Sequence, residues 1–215
     1  MKLKQIFIPV FSLAVCLTIL YKWTRGFSAF TIYSYILEQA GPVPRQFPSI
    51  QFINQDGNIF DIKDRHQYVL VNFVYLDCPG VCQKIDNKLE DIYHSLDTAI
   101  IPSRLALLTV SFDLKNDNIN KIKQYRNFFG TKIDGWTFAV PYKINGNEFH
   151  QFLQKIGFWT YQIPGTGIIN HSVYMFLISP DDKIIKVFDP ARENNSSIIE
   201  QILQCVKTKQ IASVS

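Results

Sequence analysis

The stretch Tyr68–Cys82, YVLVNFVYLDCPGVC, decides how this chain is read. Val69–Val74 is almost continuously apolar, the pattern of a strand buried on both faces. Beyond the cysteines, Ile85, Leu89, Ile92 and Leu96 recur at helical spacing. A buried strand therefore runs into a helix, and Cys78 and Cys82 stand at the junction.

Working outward, Phe52-Ile53 and Ile59-Phe60 flank an Asp56-Gly57 turn and predict a hairpin ahead of the buried strand. Downstream, Leu105–Phe112 reads as a second buried strand. Ile119, Ile122 and Phe129 trace a helix closed by Gly130. Trp136–Val140 is a short strand, and Phe149, Phe152, Leu153 and Ile156 mark another helix, ending at Gly157. Val173–Ile178 and Lys183–Phe188 flank Pro180-Asp181-Asp182 as an antiparallel pair. Ser197 and Glu200 predict a capping box for a last helix with apolar face Ile198, Ile199, Ile202, Leu203 and Val206. Strand–helix–strand–helix followed by a hairpin and a helix is the thioredoxin arrangement. The expected class is thus α/β, a thioredoxin-like fold with an N-terminal hairpin extension and an insert around 130–165.

Ile6–Tyr21 gives 16 uncharged, mostly apolar positions, with Lys2 and Lys4 before them and Lys22 and Arg25 after. A spanning helix wants about 20 residues, and Trp23 with a snorkelling Lys22 can extend this one. No small-x-small cleavage pattern closes the run, so an uncleaved transmembrane anchor is expected. Gly26–Leu37 is uncharged too, but at 12 residues it is read as an interfacial or packing segment. Gly41-Pro42-Val43-Pro44 reads as a stiff linker. The domain plan is an anchor over 1–25, an interfacial segment and linker over 26–46, and the folded domain over 47–215.

The 215 residues carry 22 Lys and Arg against 18 Asp and Glu, a net charge of +4. The basic residues are scattered with no run interleaved with aromatics, which argues against nucleic acid as a partner. Four cysteines make no disulfide framework at this length. Cys16 and Cys205 read as small buried hydrophobes. Cys78 and Cys82 form the one unit.

On a helix, positions i and i+4 hold their Cβ atoms about 5–6 Å apart. A disulfide wants them nearer about 4 Å. Two metal–sulfur bonds bridge the wider gap with less distortion. A helix N-terminus also favours thiolate over thiol. Thiol-disulfide enzymes of the thioredoxin type space their cysteines by two residues, not three, so the spacing leans toward metal without forbidding redox cycling. His171 precedes the Val173–Ile178 strand, which in such a fold lies beside the cysteine-bearing strand. An ordinary disulfide enzyme places a proline there. Two thiolates and one imidazole suit Cu(I), and the imidazole makes Cu(II) accessible. Cys78, Cys82 and His171 are therefore the candidate copper ligands. Asp113 ends the second strand and is either an outer acceptor facing the site or a turn residue. His66, His94 and His150 are given no role.

Tyr68–Cys82 and His171–Phe188 (HSVYMFLISPDDKIIKVF), with Ser111-Phe112-Asp113, resemble the SCO1/SenC family of copper proteins, which assist cytochrome c oxidase assembly. The similarity runs from about Phe47 to Val206. By position, Cys78, Cys82 and His171 match the family's copper ligands and Asp113 an acidic residue near them. The resemblance implies a thioredoxin-like fold, an N-terminal membrane anchor and delivery of copper to the oxidase's binuclear copper centre. Gly80, Gln83 and Leu114 stand where the family often has an acidic residue, a proline and a proline. The expected protein is a metallochaperone of the bacterial inner membrane facing the periplasm, with the oxidase's copper-centre subunit and the lipid bilayer as partners. The rival is a thiol-disulfide oxidoreductase that reduces the oxidase cysteines at a Cys78–Cys82 disulfide. A peroxidase and a purely structural assembly factor rank lower.

Overall fold

The computed structural model describes residues 2–24, 26, 30–78, 81–96, 100–130 and 133–212, without the side chains of 2–6, 81–83 and 208–212. Two helices come first, α1 (Lys2–Trp23) and α2 (Ile32–Gln39). A short strand β1 (Arg45–Gln46) and the hairpin β2 (Gln51–Asn54) and β3 (Ile59–Asp61) follow. The core unit runs β4 (Tyr68–Val74), α3 (Val81–Ser95), β5 (Leu105–Ser111), α4 (Ile119–Arg126), β6 (Trp136–Pro141) and α5 (Gly146–Ile156). A small ribbon, β7 (Thr160–Gln162) and β8 (Ile169–His171), leads to β9 (Met175–Ile178), β10 (Lys183–Phe188) and α6 (Asn195–Ala212).

The described residues form an eight-stranded sheet in the order β1-β10-β9-β4-β5-β6-β2-β3. β4, β5 and β6 are mutually parallel, and β9 lies antiparallel against β4 with Asn72 opposite Met175. Every residue of β4 and β5 is buried. Alternation along β4 splits the core in two. Val69, Val71 and Phe73 face Phe149, Phe152 and Ile156 of α5, while Leu70 belongs with Leu89 and Ile92 of α3 and Ile198 and Ile202 of α6. Helices on both faces explain why the central strands carry apolar runs rather than alternation. Asn72, the polar residue in β4, is bonded across the sheet at its oxygen by Thr109 Oγ1, which donates to Asn72 Oδ1 at 2.7 Å and accepts from Trp136 Nε1 at 3.0 Å, while Asn72 Nδ2 makes no hydrogen bond among the described residues.

Several local expectations change. Helix α6 begins at Asn195, and the cap is Asn194, whose Oδ1 accepts from Ser197 N at 2.8 Å. Asn and Ser are near-equal caps. The earlier start leaves Ser197 inside the helix, accepting from Gln201 Nε2 at 3.3 Å. β9 starts at Met175 rather than Val173, because Ser172 N donates to Trp159 O at 2.9 Å and the chain there follows the ribbon. The stretch around 130–165 includes β6, an interior strand of the main sheet, as well as α5. Gly41–Pro44 does not lead away from the domain. Arg45 donates to Gly41 O at 2.6 Å and to Ile156 O at 2.9 Å, and β1 joins the sheet edge beside β10.

At the N-terminus α1 is helical over 22 residues and exposes Phe7, Ile8, Phe11, Leu13 and Trp23, along with Cys16. Among the described residues no helix is long and apolar enough to cross a membrane, so the expected transmembrane anchor is not supported. Cys205, by contrast, packs partly buried against the α6 side of the core, as expected.

Candidate metal centre

Parallel strands β4 and β5 end at the same edge of the sheet, where open α/β sheets place their ligands. Beyond β5, Phe112 N donates to Val74 O at 2.8 Å, so the pairing continues one residue past the strand. Beyond β4, Tyr75 turns the chain, its carbonyl accepting from Cys78 N at 3.2 Å. Antiparallel β9 begins at this edge, and the ribbon ahead of it delivers His171 there.

The His171 imidazole is buried among three rings. Tyr75 meets it edge-on at 5.6 Å between centroids, Phe112 lies at 5.0 Å, and Phe158 lies nearly parallel at 6.1 Å. Nδ1 lies 2.6 Å from Ser172 O. A carbonyl accepts only, so Nδ1 carries the proton and the lone pair sits on Nε2. Burial lowers the imidazole's pKa, with the Ser172 contact opposing it, so the ring is neutral at pH 7. Neutral imidazole with a fixed tautomer is the form that ligates metal.

Cys78 packs half-buried against the same core cluster that contains Tyr75, Phe112 and Phe158. The residues that bring together the cysteine loop and the histidine arm are thus aromatic, and Tyr75 touches both. Cys82 lies by its backbone in the first turn of α3. Its side chain falls outside the described residues, as do Pro79 and Gly80. Among the described residues no group of three or more His, Cys, Asp or Glu is close enough to hold a metal. A cavity of about 340 Å³ opens beside Cys78 between α3 and α4, with Asp86 and Glu90 on one wall and Tyr125 and Phe128 on the other.

Asp113 turns its carboxylate to its own loop. It accepts from Lys115 N and Asn116 N at 3.2 Å each and from Asn116 Nδ2 at 2.7 Å. The carboxylate that reaches the cysteine loop is Asp117. Its Oδ2 accepts from Leu76 N at 3.0 Å and Ser111 Oγ at 2.6 Å, while Oδ1 makes no hydrogen bond and faces Lys121 Nζ at 3.8 Å. Lys121 in turn bridges to Asp77 at 3.1 Å, directly before Cys78. Burial raises the Asp117 carboxyl above its ordinary range, against the pull of those hydrogen bonds. Sequence reasoning passed over Asp117, since spacing does not say which of two nearby acids turns inward. It also gave no role to Tyr75 and Phe158, whose aromatic side chains look like any other core residue. His66, His94 and His150 lie apart from the rings that enclose His171, His94 being paired with Glu90 and His150 with Gln154.

The SCO1/SenC family model matches residues 40–207. The chain belongs to the SCO1/SenC family. Among curated relatives it is 25% identical over 142 residues to the mitochondrial SCO2 homolog of Danio rerio, covering 66% of this chain and 50% of that protein. The chain therefore spans about half the length of that relative. Solved structures that share the fold include two Sco proteins. Arabidopsis thaliana ScoI with copper bound superposes with a TM-score of 0.61 at 15% identity, covering 74% of this chain and 97% of that one. BsSco, a member of the Sco family of cytochrome c oxidase assembly proteins in which a disulfide switch was identified, gives 0.62 at 20% identity, covering 75% and 93%. The shared SCO1/SenC fold accounts for the thioredoxin-like core, and the ring-enclosed histidine sits at the edge where β4 and β5 end.

Proposed function

We propose that this SCO1/SenC protein binds copper through Cys78, Cys82 and His171 and delivers it to the binuclear copper centre of cytochrome c oxidase. The observation that carries the reading is His171. A buried, neutral imidazole with its proton on Nδ1 and its lone pair on Nε2 stands at the sheet edge that also carries Cys78, with Tyr75 between them. The copper bound by Arabidopsis ScoI and the oxidase assembly named for BsSco support this choice of cargo and pathway. Copper passes by ligand exchange. An incoming thiol of the recipient loses its proton and bonds the metal, and a departing thiolate of this chain takes a proton up, with no change in copper oxidation state. Asp113 supports the ligands only through the loop it organises.

Attachment to a bilayer fits α1, whose apolar side chains, Phe7, Ile8, Phe11 and Leu13 among them, are exposed with respect to the described residues. We place the domain on the periplasmic side of a bacterial inner membrane, where the oxidase copper subunit is met.

The test is copper titration of the full chain, anaerobic and reduced for Cu(I) and separately with Cu(II), against Cys78→Ala, Cys82→Ala and His171→Ala. The expected result is loss of Cu(I) retention in both cysteine variants, and weaker Cu(II) retention in His171→Ala with the thiol pair still able to oxidise. Copper retention indifferent to all three refutes the reading. The disulfide switch in BsSco favours one rival, thiol-disulfide exchange with the oxidase cysteines. That activity needs Cys78 and Cys82 and survives His171→Ala.

A further inference from the structure

Helix α2 precedes the family match, which begins at residue 40, yet it is built into the surroundings of His171. Tyr33 and Leu37 pack against the core on the α5 side. The approach is close, for a Cβ added at Gly157 would lie 2.9 Å from Leu37 Cδ1 and 3.2 Å from Ala40 Cβ. Gly157 is also the left-handed cap of α5, with φ of 84°, so the one residue serves both the cap and the contact. Arg45, bonded to Gly41 O and Ile156 O, fastens the exit of α2 to the same end of α5.

From this seat Tyr33 reaches the histidine arm at two points. Its hydroxyl donates to Asn170 Oδ1 at 2.6 Å, on the residue before His171. Its ring stands edge-on to Trp159, with centroids 5.3 Å apart. Trp159 holds the residue after His171, since its N–H donates to Ser172 Oγ at 3.0 Å and its carbonyl accepts from Ser172 N at 2.9 Å. The arm needs such support. β7 and β8 form a two-stranded ribbon separate from the main sheet, and an isolated hairpin is marginal in water.

We propose that Tyr33 is a positioning residue for His171: through Asn170 and Trp159, helix α2 braces the β7–β8 ribbon and keeps the imidazole at the sheet edge. The proposal deepens the reading of His171 as a copper ligand and rests on it. Tyr33 touches the histidine arm directly, at Asn170 and at Trp159, and the cysteine loop only through the shared core.

The experiment compares wild type, Tyr33→Phe and Asn170→Ala as full chains, with Tyr33→Ala added if it folds. Tyr33→Phe keeps the ring on Trp159 and removes the hydroxyl alone. The first readout is the set of His171 ring nitrogen and proton NMR signals in the metal-free reduced protein. The second is Cu(II) retention against a chelator, and the third is the midpoint potential of the thiol pair. Expected are shifted or broadened His171 signals in Tyr33→Phe, Cu(II) retention lower by about threefold to tenfold, the range for one hydrogen bond, and an unchanged thiol midpoint. In a His171→Ala background, Tyr33→Phe should change copper retention no further. Unaltered His171 signals in both Tyr33→Phe and Asn170→Ala overturn the proposal. So does an equal copper effect in the His171→Ala background, or a midpoint that moves with the copper loss. If His171→Ala alone leaves copper retention untouched, the ligand reading falls while the ring signals still decide whether the brace exists.

Discussion

Replacing Asp86 with Asn should stabilise the protein at pH 8 and change little at pH 4. Asp86 lies on α3 in the wall of the cavity beside Cys78, 9% exposed, with the Tyr125 hydroxyl donating to its Oδ2. Burial lifts its pKa from the ordinary 3.8 to about 6, the tyrosine bond pulling the other way. Between those values the folded chain keeps a proton that the unfolded chain has released. Stability therefore falls as pH rises through this window and stays at the lower level above it. The gap is about 2.2 pH units, and at roughly 1.36 kcal/mol per unit the buried carboxylate costs about 3 kcal/mol at pH 8. An Asn side chain is neutral, has the same shape and can still accept from Tyr125, so roughly 2–3 kcal/mol should be regained. For a domain of this size that is a rise in Tm of about 5–10 °C. The assay is urea or thermal unfolding of both proteins from pH 4 to 8. Taking the difference between them cancels Asp117, which is raised as well, and His171, which is lowered. The difference should be near zero at pH 4, climb between pH 4 and 6, and level off above pH 7. A flat difference, or an Asn variant less stable at pH 8, refutes the argument that desolvation governs this carboxyl.

Two further outcomes concern the supports of the site. Asp117→Ala strips the acceptor from Leu76 N and Ser111 Oγ and should cost roughly 1–3 kcal/mol in urea unfolding. Asp117→Asn, which still offers an oxygen to both donors, should cost less than half as much; equal losses would show that the charge and not the hydrogen bonds matters. Gly157→Ala forces an alanine into φ of 84° and presses its Cβ on Leu37. It should lower stability by about 2 kcal/mol, mostly from the left-handed backbone, and loosen α2. A Tm unchanged within a degree would contradict the close approach of α2 to α5.

The elements that were legible in the sequence are those set by local periodicity. The β4–α3 junction, the buried β5 and the amphipathic α5 with its Gly157 cap all follow from apolar spacing and one backbone requirement. Where two residues of equal merit competed, local reasoning failed. Asn194 and Ser197 are comparable caps, and in the folded chain Asn194 caps while Ser197 falls inside the helix and accepts from Gln201. Asp113 and Asp117 are four apart in one loop, and the turn from β5 into α4 decided that only Asp117 bonds the cysteine loop. The uncharged run before residue 38 reads as a packing segment, but its partner, the histidine arm, lies more than a hundred residues away and leaves no mark on local pattern.

By itself the sequence determined the fold class, the cysteine pair at a strand–helix junction and a histidine ahead of the neighbouring strand, because these depend on side-chain type and short-range spacing. The tertiary structure decided the ring enclosure and tautomer of His171, the inward turn of Asp117 and the docking of α2, because each depends on long-range contacts fixed when the layers close. Burial sets the charge state of the imidazole, and burial is a property of the whole packed molecule rather than of any segment.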